Sequence, residues 1–495
     1  MNNAQEDLLK VKLDWLQCHF TWAPQRENID LDDMKQRLED SIDLGVKYQA
    51  GSYNQLAFVN CLQGNCEEAI KNLKEAEKFL REKHEDEFDK RIIITYGNYA
   101  WVYYHMGQLT EAQSYLDKLE WICKQFPEAS RYSALIPEVY GEKGWSLLSG
   151  PGQYYEDAME CFKKALEEDP DNIEWNVGYA TVLFRLEWFS GTPESQGPSE
   201  SMKQFRRVLE LDPEDSVAKV LLALKLQQYY QSEEALELIK EALQKSPDLP
   251  YVLRYAAKFY RTEGDVEKAV ELLKKGLEIT PHSTFLHHQI GACYRTKLYK
   301  LINFPDSKGP RNAALQQKAE LFKLCKYHFQ KAFENRPLTS IKPQLDFAGI
   351  CILNEEYRKV KEVYNHLLGL EGIRPENKQA ICLQAGLFEL NHMKSESNAI
   401  SHFLEGIKVN YDSIEQKRCR ENLETIARRW RRSNPRESKA LGVFGFLHQL
   451  DGERCEAIKY FEKALESDPD NEEYISALRE LRLSIKADND FPNYN

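Results

Sequence analysis

Three prolines set the period of this chain. Pro213 closes VLELDPED, Pro247 closes ALQKSPDL and Pro281 closes GLEITPHS, and each follows the last by 34 residues. A fixed repeat of this length requires stacked copies of one small unit, because a single copy cannot bury its own apolar face. The segment YVLRYAAKFYRTEGDVEKAVELLKKGLEITP shows the unit most clearly. Leu253, Ala257 and Tyr260 fall on one helix, and Ala269, Leu273 and Gly276 fall on a second helix that ends at Pro281.

That arrangement is the pattern of the tetratricopeptide repeat: large, small and aromatic positions on a first helix, then small, aromatic, small and proline on the next. The C-terminal copy carries Leu441, Phe444 and Gly445, then Ala457, Phe461, Ala464 and Pro469, with His448 at the usual aromatic position of its first helix. A further copy carries Ala158, Phe162, Ala165 and Pro170. Weaker copies show Ala69/Leu73/Ala76, Ala112/Tyr115, Ala235/Ala242, Phe329/Ala332/Pro337 and Ala399/Phe403/Gly406. The fold expected is an all-α superhelix of about nine helix-turn-helix repeats with a concave, positively lined channel.

Two interruptions organise the array. GTPESQGPSE (191–200) lengthens one repeat with a Gly/Pro/Ser loop, and INFPDSKGPRNAALQQ (302–317) begins as a loop and resumes as helix. The expected blocks are 1–140, 141–300, a connector at 301–325, 326–485, and a tail at 486–495.

Composition agrees with a helical, folded chain: 42% hydrophobic and 11% aromatic residues, with only 24 Gly and 19 Pro. No apolar run approaches the ~18 residues of a membrane span. The start, MNNAQEDLLKVKLDW, lacks a basic then apolar leader, and the eleven cysteines form no CxxC pair. Both point to a cytoplasmic protein with reduced thiols. The net charge of −13 argues against bulk attraction to nucleic acid, yet residues 415–432 hold seven Lys/Arg against three Glu.

The sequence contains no GxxxxGK[ST], GxSxG, HExxH or Gly-rich dinucleotide loop, so a nucleotide-hydrolysing enzyme is disfavoured. The neighbouring histidines of HHQ (287–289) point in different directions on a helix and make a poor metal site. The default for such a solenoid is a scaffold holding a peptide or partner helix. Against that default, Tyr251, Arg254 and Tyr255 share one helical face, and Phe285, His288 and Gln289 repeat the spacing one unit later. A repeat core needs neither guanidinium nor imidazole. On a concave face, such a set suits single-stranded nucleic acid, with phosphates on arginine and bases stacked on aromatic rings.

Longer segments carry a family resemblance. CHFTW (18–22), YGNYAWVYYHMGQLTEAQ (96–113), EKGW (142–145), VLLALKLQ (220–227), PYVLRYAAKFYR (250–261), FLHHQIGACYR (285–295) and ALGVFGFL (440–447) resemble the interferon-induced proteins with tetratricopeptide repeats. The likeness spans about residues 8–485. The resemblance implies a cytosolic, antiviral, non-enzymatic protein that sequesters single-stranded viral RNA or blocks its translation. Recognition would be by the 5′ end, a triphosphate or a cap lacking ribose 2′-O-methylation, without sequence specificity.

It also implies roles. Arg185 and Tyr155 match groups at the 5′ phosphates, Tyr251, Arg254 and Tyr255 match residues around the first nucleotides, and Phe285, His288 and Gln289 match those lining the next. Trp145 matches a tryptophan used by capped RNA, although a repeat helix also uses tryptophan as core. Arg37 and Asp33 fall where relatives place polar phosphate or metal-linked contacts, so no cofactor is required beyond Mg2+ accompanying a triphosphate. Family-member or innate-immune signalling partners are compatible with the fold; a membrane is not. Departures accompany the match. Where relatives carry GWALLK this chain reads GWSLLS, so Ser149 replaces a lysine, and PLTSIKPQL (337–345) lacks aromatics that some relatives place in the tunnel. Lys417, Arg418, Arg420, Arg428, Arg429 and Arg432 offer a compensating positive wall. The rival reading is a protein-binding adaptor with little affinity for RNA.

Overall fold

A computed structural model describes residues 2–22, 31–43, 49–150, 152–189, 199–303, 311–334, 340–409 and 411–490. Among them the regular structure is helical throughout, without a strand. The chain divides into two compact units, residues 1–321 and 322–495.

The first unit opens with α1 (Asn2–Leu13), α2 (His19–Trp22) and α3 (Leu31–Asp43). Helix hairpins follow: α4 (Gln49–Leu62) with α5 (Cys66–Lys83), α6 (Phe88–His105) with α7 (Leu109–Cys123), and α8 (Pro137–Leu148) with α9 (Tyr155–Glu168). Then come α10 (Ile173–Phe189) with α11 (Glu200–Leu211), α12 (Ser216–Gln228) with α13 (Ser232–Lys245), and α14 (Pro250–Glu263) with α15 (Val266–Ile279). Helix α16 (Thr284–Asn303) packs on α15, and the division between units falls within α17 (Arg311–Phe333). The second unit continues with α18 (Ile341–Leu353) and α19 (Tyr357–Leu368), α20 (Pro375–Asn391) and α21 (Glu396–Lys408), the long α22 (Ile414–Ser433), α23 (Ser438–Leu450) and α24 (Arg454–Ser467), and a final helix α25 (Glu472–Asp490).

Pro213, Pro247 and Pro281 each fall in the turn after the second helix of a hairpin, so the 34-residue period of the sequence is the period of the stack. What locks neighbours together is an aromatic ring pressed against glycine. Phe162 of α9 is fully buried, and a Cβ added at Gly144 of α8 or Gly178 of α10 would lie 2.9 or 2.3 Å from its ring. One ring thus fills the gap both within its own hairpin and toward the next. The arrangement recurs in the second unit, where Cβ atoms at Gly386 and Gly445 would lie 2.4 Å from Phe403 and 2.8 Å from Phe461. His448 fits its aromatic position by stacking on Tyr460 with centroids 5.0 Å apart and accepting Glu453 as a polar neighbour at 2.5 Å.

The N-terminal helices are anchored the same way. A Cβ at Gly97 would approach that of Cys18 to 2.9 Å, the backbone N–H of His19 donates to Asn98 at 3.1 Å, and the Trp101 indole donates to the Leu13 carbonyl at 3.2 Å. The segments CHFTW and YGNYAW are therefore two halves of one contact.

Gly178→Ala should destabilise by about 1–3 kcal/mol, since the new methyl overlaps the Phe162 ring. Gly349→Ala, on α18 with open space around the added atom, should be neutral or stabilising by up to about 1 kcal/mol. Denaturant unfolding of the two variants checks both; equal effects would refute the interlock.

Candidate functional site

Seven of the residues singled out from the sequence come together in the first unit. Arg185 sits on α10, two turns beyond Gly178, and its Nη1 donates to the carbonyl of Leu148 at 2.5 Å and to the Tyr155 hydroxyl at 3.2 Å. Its guanidinium carbon lies 5.4 Å from the centre of the Tyr155 ring. Leu148 is the last residue of α8, so the arginine satisfies a carbonyl that the helix cannot satisfy itself.

Tyr251 and Tyr255, one turn apart on α14, face Arg185, and their rings lie 4.6 Å apart. Arg185 shows the charge balance: burial opposes its ionisation, but the oxygens of Tyr155, Tyr251 and Tyr255 outweigh that cost and hold its pKa above the ordinary value. The two tyrosines respond oppositely. Burial raises Tyr251, whereas at Tyr255 the Arg254 and Arg185 charges overcome burial and lower it. Arg254 extends from α14 over the Phe285 ring of α16, with its guanidinium carbon 3.8 Å from the centroid, and lies 5.0 Å from that of Tyr255. Phe285 remains 36% exposed. Gln289, one turn on, accepts from Arg261 at 2.7 Å. His288 is half-buried beside it on α16.

The sequence reading missed two cations, Lys258 and Arg261. They lie four and seven residues after Arg254, so the i, i+4, i+7 rule places all three on one face of α14. Burial lowers the Lys258 pKa, Tyr255 partly restores it, and the charges of Arg261 and Arg254 lower it further. Among the described residues no carboxylate lies within ion-pair distance of Arg185, Arg254 or Arg261. In a chain with net charge −13, these three partly buried guanidiniums stand without counter-charge, an arrangement suited to an anion.

A buried network holds the frame. Glu187, half a turn beyond Arg185, accepts from Lys225 of α12 at 2.7 Å and from the hydroxyls of Ser199 and Ser201 at 2.8 and 2.7 Å. Lys225 is only 2% exposed, so the pair ties the end of α10 to α11 and α12. Burial would raise the Glu187 pKa, but Lys225 and the serines hold it below the ordinary value.

The α8 wall is less cationic than the family pattern implies. Ser149 folds back to donate to the Trp145 carbonyl at 2.9 Å, and Trp145 meets Phe162 edge-on at 5.4 Å while remaining half-buried. Beside it are two acids. Glu142, one turn before Trp145, accepts from Asn54 of α4 at 2.8 Å, and Glu174 of α10 pairs with Arg91 at 3.7 Å. Arg37 stands exposed on α3; the side chain of Asp33 lies outside the described residues. Among the described residues no three His, Cys, Asp or Glu side chains gather as a metal site.

The basic run of the second unit is a correction to the wall expected from sequence. Lys417 pairs with Asp412 at 3.0 Å, Arg420 with Asp451 at 2.8 Å, Arg428 with Glu424 at 2.7 Å, and Arg429 with Glu396. The carboxylates come from α21, α22 and the turns after α21 and α23, segments whose own sequence is not conspicuously acidic. Arg418, Arg431 and Arg432 have no carboxylate partner among the described residues, and Arg431 lies 5.9 Å from the Phe444 ring centroid. The interruption at 191–198, the loop at 304–310 and residues 337–339 lie outside the described residues.

Fold and site together define a tetratricopeptide-repeat protein with an aromatic-lined cationic cluster inside its first unit. Tetratricopeptide-repeat signatures match residues 48–123, 139–172, 226–288 and 439–471. The chain is 39% identical over 464 residues to the human antiviral innate immune response effector IFIT1, covering 94% of this chain and 96% of that protein. It is 36% identical over 477 residues to human interferon-induced protein with tetratricopeptide repeats 2, covering 94% and 97%. The chain belongs to the family of interferon-induced proteins with tetratricopeptide repeats. A human IFIT1 dimer with m7Gppp-AAAA superposes with a TM-score of 0.73 at 38% identity, covering 93% of this chain and 100% of that one. A human IFIT1 dimer with PPP-AAAA gives 0.70 at 37% identity, with the same coverage.

Burial pushes the carboxyl of Glu142 up to about 7, against the Asn54 hydrogen bond, and likewise raises Glu174 to about 7 against the Arg91 charge. A carboxyl raised on folding contributes stability that is complete below its unfolded pKa and is lost as pH rises through its folded one. The melting temperature should therefore fall between about pH 5 and pH 8. Glu142→Gln, which keeps an acceptor for Asn54, should flatten that fall and melt higher than wild type at the alkaline end. An unchanged slope in the variant would remove Glu142 from the titration.

Proposed function

We propose that this protein binds the 5′ end of single-stranded viral RNA, as triphosphate or incompletely methylated cap, and sequesters it or blocks its translation. The observation that carries this reading is the set of unneutralised guanidiniums at Arg185, Arg254 and Arg261, interleaved with Tyr155, Tyr251, Tyr255 and Phe285. Arginine suits phosphate because its planar fork donates two parallel hydrogen bonds, and the rings accept bases without reading their edges. Structures of human IFIT1 with PPP-AAAA and m7Gppp-AAAA support the ligand class.

In this reading Arg185 grips the terminal phosphates with Tyr155 as hydroxyl partner. Arg254 and the tyrosines hold the first nucleotides, and Phe285, His288 and Gln289 line the next. Trp145 stacks on a cap base when one is present. Arg37 and Asp33 approach the phosphates from α3, directly or through Mg2+. The protein acts by holding RNA and transforms no substrate. The eleven unlinked cysteines support a reducing, cytoplasmic setting, and no described helix is long and apolar enough to cross a membrane.

One unstructured RNA carrying 5′-triphosphate, cap without ribose methylation, fully methylated cap or 5′-hydroxyl tests the assignment at fixed salt. The wild type should prefer one modified end, and Arg185→Ala should abolish the preference. Arg185→Lys retains charge and reach to the Leu148 carbonyl, so its loss of end preference, at unchanged melting temperature, separates phosphate recognition from folding. Equal, weak binding of all four RNAs would place the protein among adaptors instead. Arg254→Ala should shallow the dependence of log affinity on log salt by about 0.7, the slope expected for one phosphate contact on a single strand. Ser149→Lys should strengthen triphosphate binding by roughly 10-fold or more, the worth of about 1.5–3 kcal/mol for a hydrogen bond to a charged group.

A further inference from the structure

Of the eleven cysteines, eight others are buried and Cys455 is exposed, while Cys61 and Cys66 form a close pair. Its Sγ lies 3.0 Å from that of Cys66, closer than two sulfur atoms that merely touch. Cys61 is in the last turn of α4 and Cys66 opens α5, so the pair straddles the tight turn of one hairpin. That turn is already closed by the Asn65 N–H on the Asn60 carbonyl at 2.8 Å and the Gly64 N–H on the Cys61 carbonyl at 2.9 Å. Gly64 takes a φ of +86°, which lets the chain reverse between the two thiols. The turn therefore brings the two sulfurs together, and only about 1 Å of approach separates them from the ~2.05 Å of a disulfide.

The two thiols differ in access. Cys61 is buried, and burial with the neighbouring thiol pushes its pKa upward, which suppresses its thiolate. Cys66 is half-exposed at the first position of an 18-residue helix, so it meets solvent oxidants first.

We propose that Cys61 and Cys66 form a peroxide-sensitive dithiol, a reversible modification site in the first repeat hairpin. The Cys66 thiolate attacks one oxygen of hydrogen peroxide; the O–O bond breaks, hydroxide leaves, and Cys66 becomes a sulfenic acid. Cys61 sulfur then attacks the Cys66 sulfur and expels its hydroxyl, which leaves as water with the thiol proton. In sum, two thiols and one peroxide give one disulfide and two waters, the sulfurs losing two electrons and the peroxide gaining them. Thiol exchange with a small dithiol reverses the step. The crosslink fastens the end of α4, the helix whose Asn54 grips Glu142, to the start of α5.

Trypsin releases both thiols in one peptide, residues 48–71, between Lys47 and Lys71. The folded full-length protein is treated with hydrogen peroxide, quenched, denatured, alkylated without reduction, digested and weighed. The expected result is a 48–71 peptide lighter by two hydrogens and refractory to alkylation, restored to two alkylated thiols by prior dithiothreitol. Cys66→Ser, a half-exposed change compatible with the fold, should leave Cys61 open to alkylation under the same treatment. Oxidation of exposed Cys455 in the same sample proves that peroxide was active. With Cys455 oxidised, a 48–71 peptide carrying two alkyl groups, or one oxidised at Cys66 while Cys61 stays a free thiol, would overturn the proposal.

Discussion

Three of the described hairpins depend on rings set against missing side chains. Phe162 occupies space that a Cβ at Gly144 or Gly178 would take, and Phe403 and Phe461 do the same at Gly386 and Gly445. The contact is short-ranged and serial, so within each unit a hairpin is positioned by its neighbours. The candidate site inherits its geometry from this lock: Gly178 and Arg185 lie on the same helix, and Leu148, which receives the arginine, ends the helix that carries Gly144.

Charge is distributed so that the overall balance hides the site. The chain has net charge −13, and its conspicuous basic run in α22 is largely spent on ion pairs within its own unit. Those exposed pairs are each worth little, about 0–1 kcal/mol. The informative cations are fewer and inward. Arg185, Arg254 and Arg261 meet carbonyl, phenol, ring and amide in place of carboxylate, which leaves their charge unspent. Lys225 shows the contrast: it is more deeply buried, but Glu187 neutralises it, and the pair serves the frame.

Much of this was legible in the sequence, for identifiable reasons. The 34-residue spacing of prolines and the small–aromatic–small pattern report helix hairpins directly, because both follow from packing between adjacent units. The hairpin of α18 and α19 escaped the pattern because its second helix buries Val360, Tyr364 and Leu367, a set that lacks small residues. The face of α14 was readable from i, i+3, i+4 spacing, but that spacing stopped short of Lys258 and Arg261, which the fold sets beside Tyr255 and Gln289. The basic run misled because a cation's worth depends on partners far away in sequence, such as Asp451 for Arg420, and no local pattern contains them.

The bond from Arg185 to the Leu148 carbonyl has an evolutionary consequence. The side chain proposed to hold the ligand also finishes a helix, so one position answers to two demands, and a substitution that satisfies only one of them is still refused by the other. Ser149, next in the chain, is under neither demand: its hydroxyl bonds only to its own helix. Drift in ligand preference can therefore proceed through position 149 while position 185 stays fixed, giving a lineage a cheap site for variation beside an expensive one.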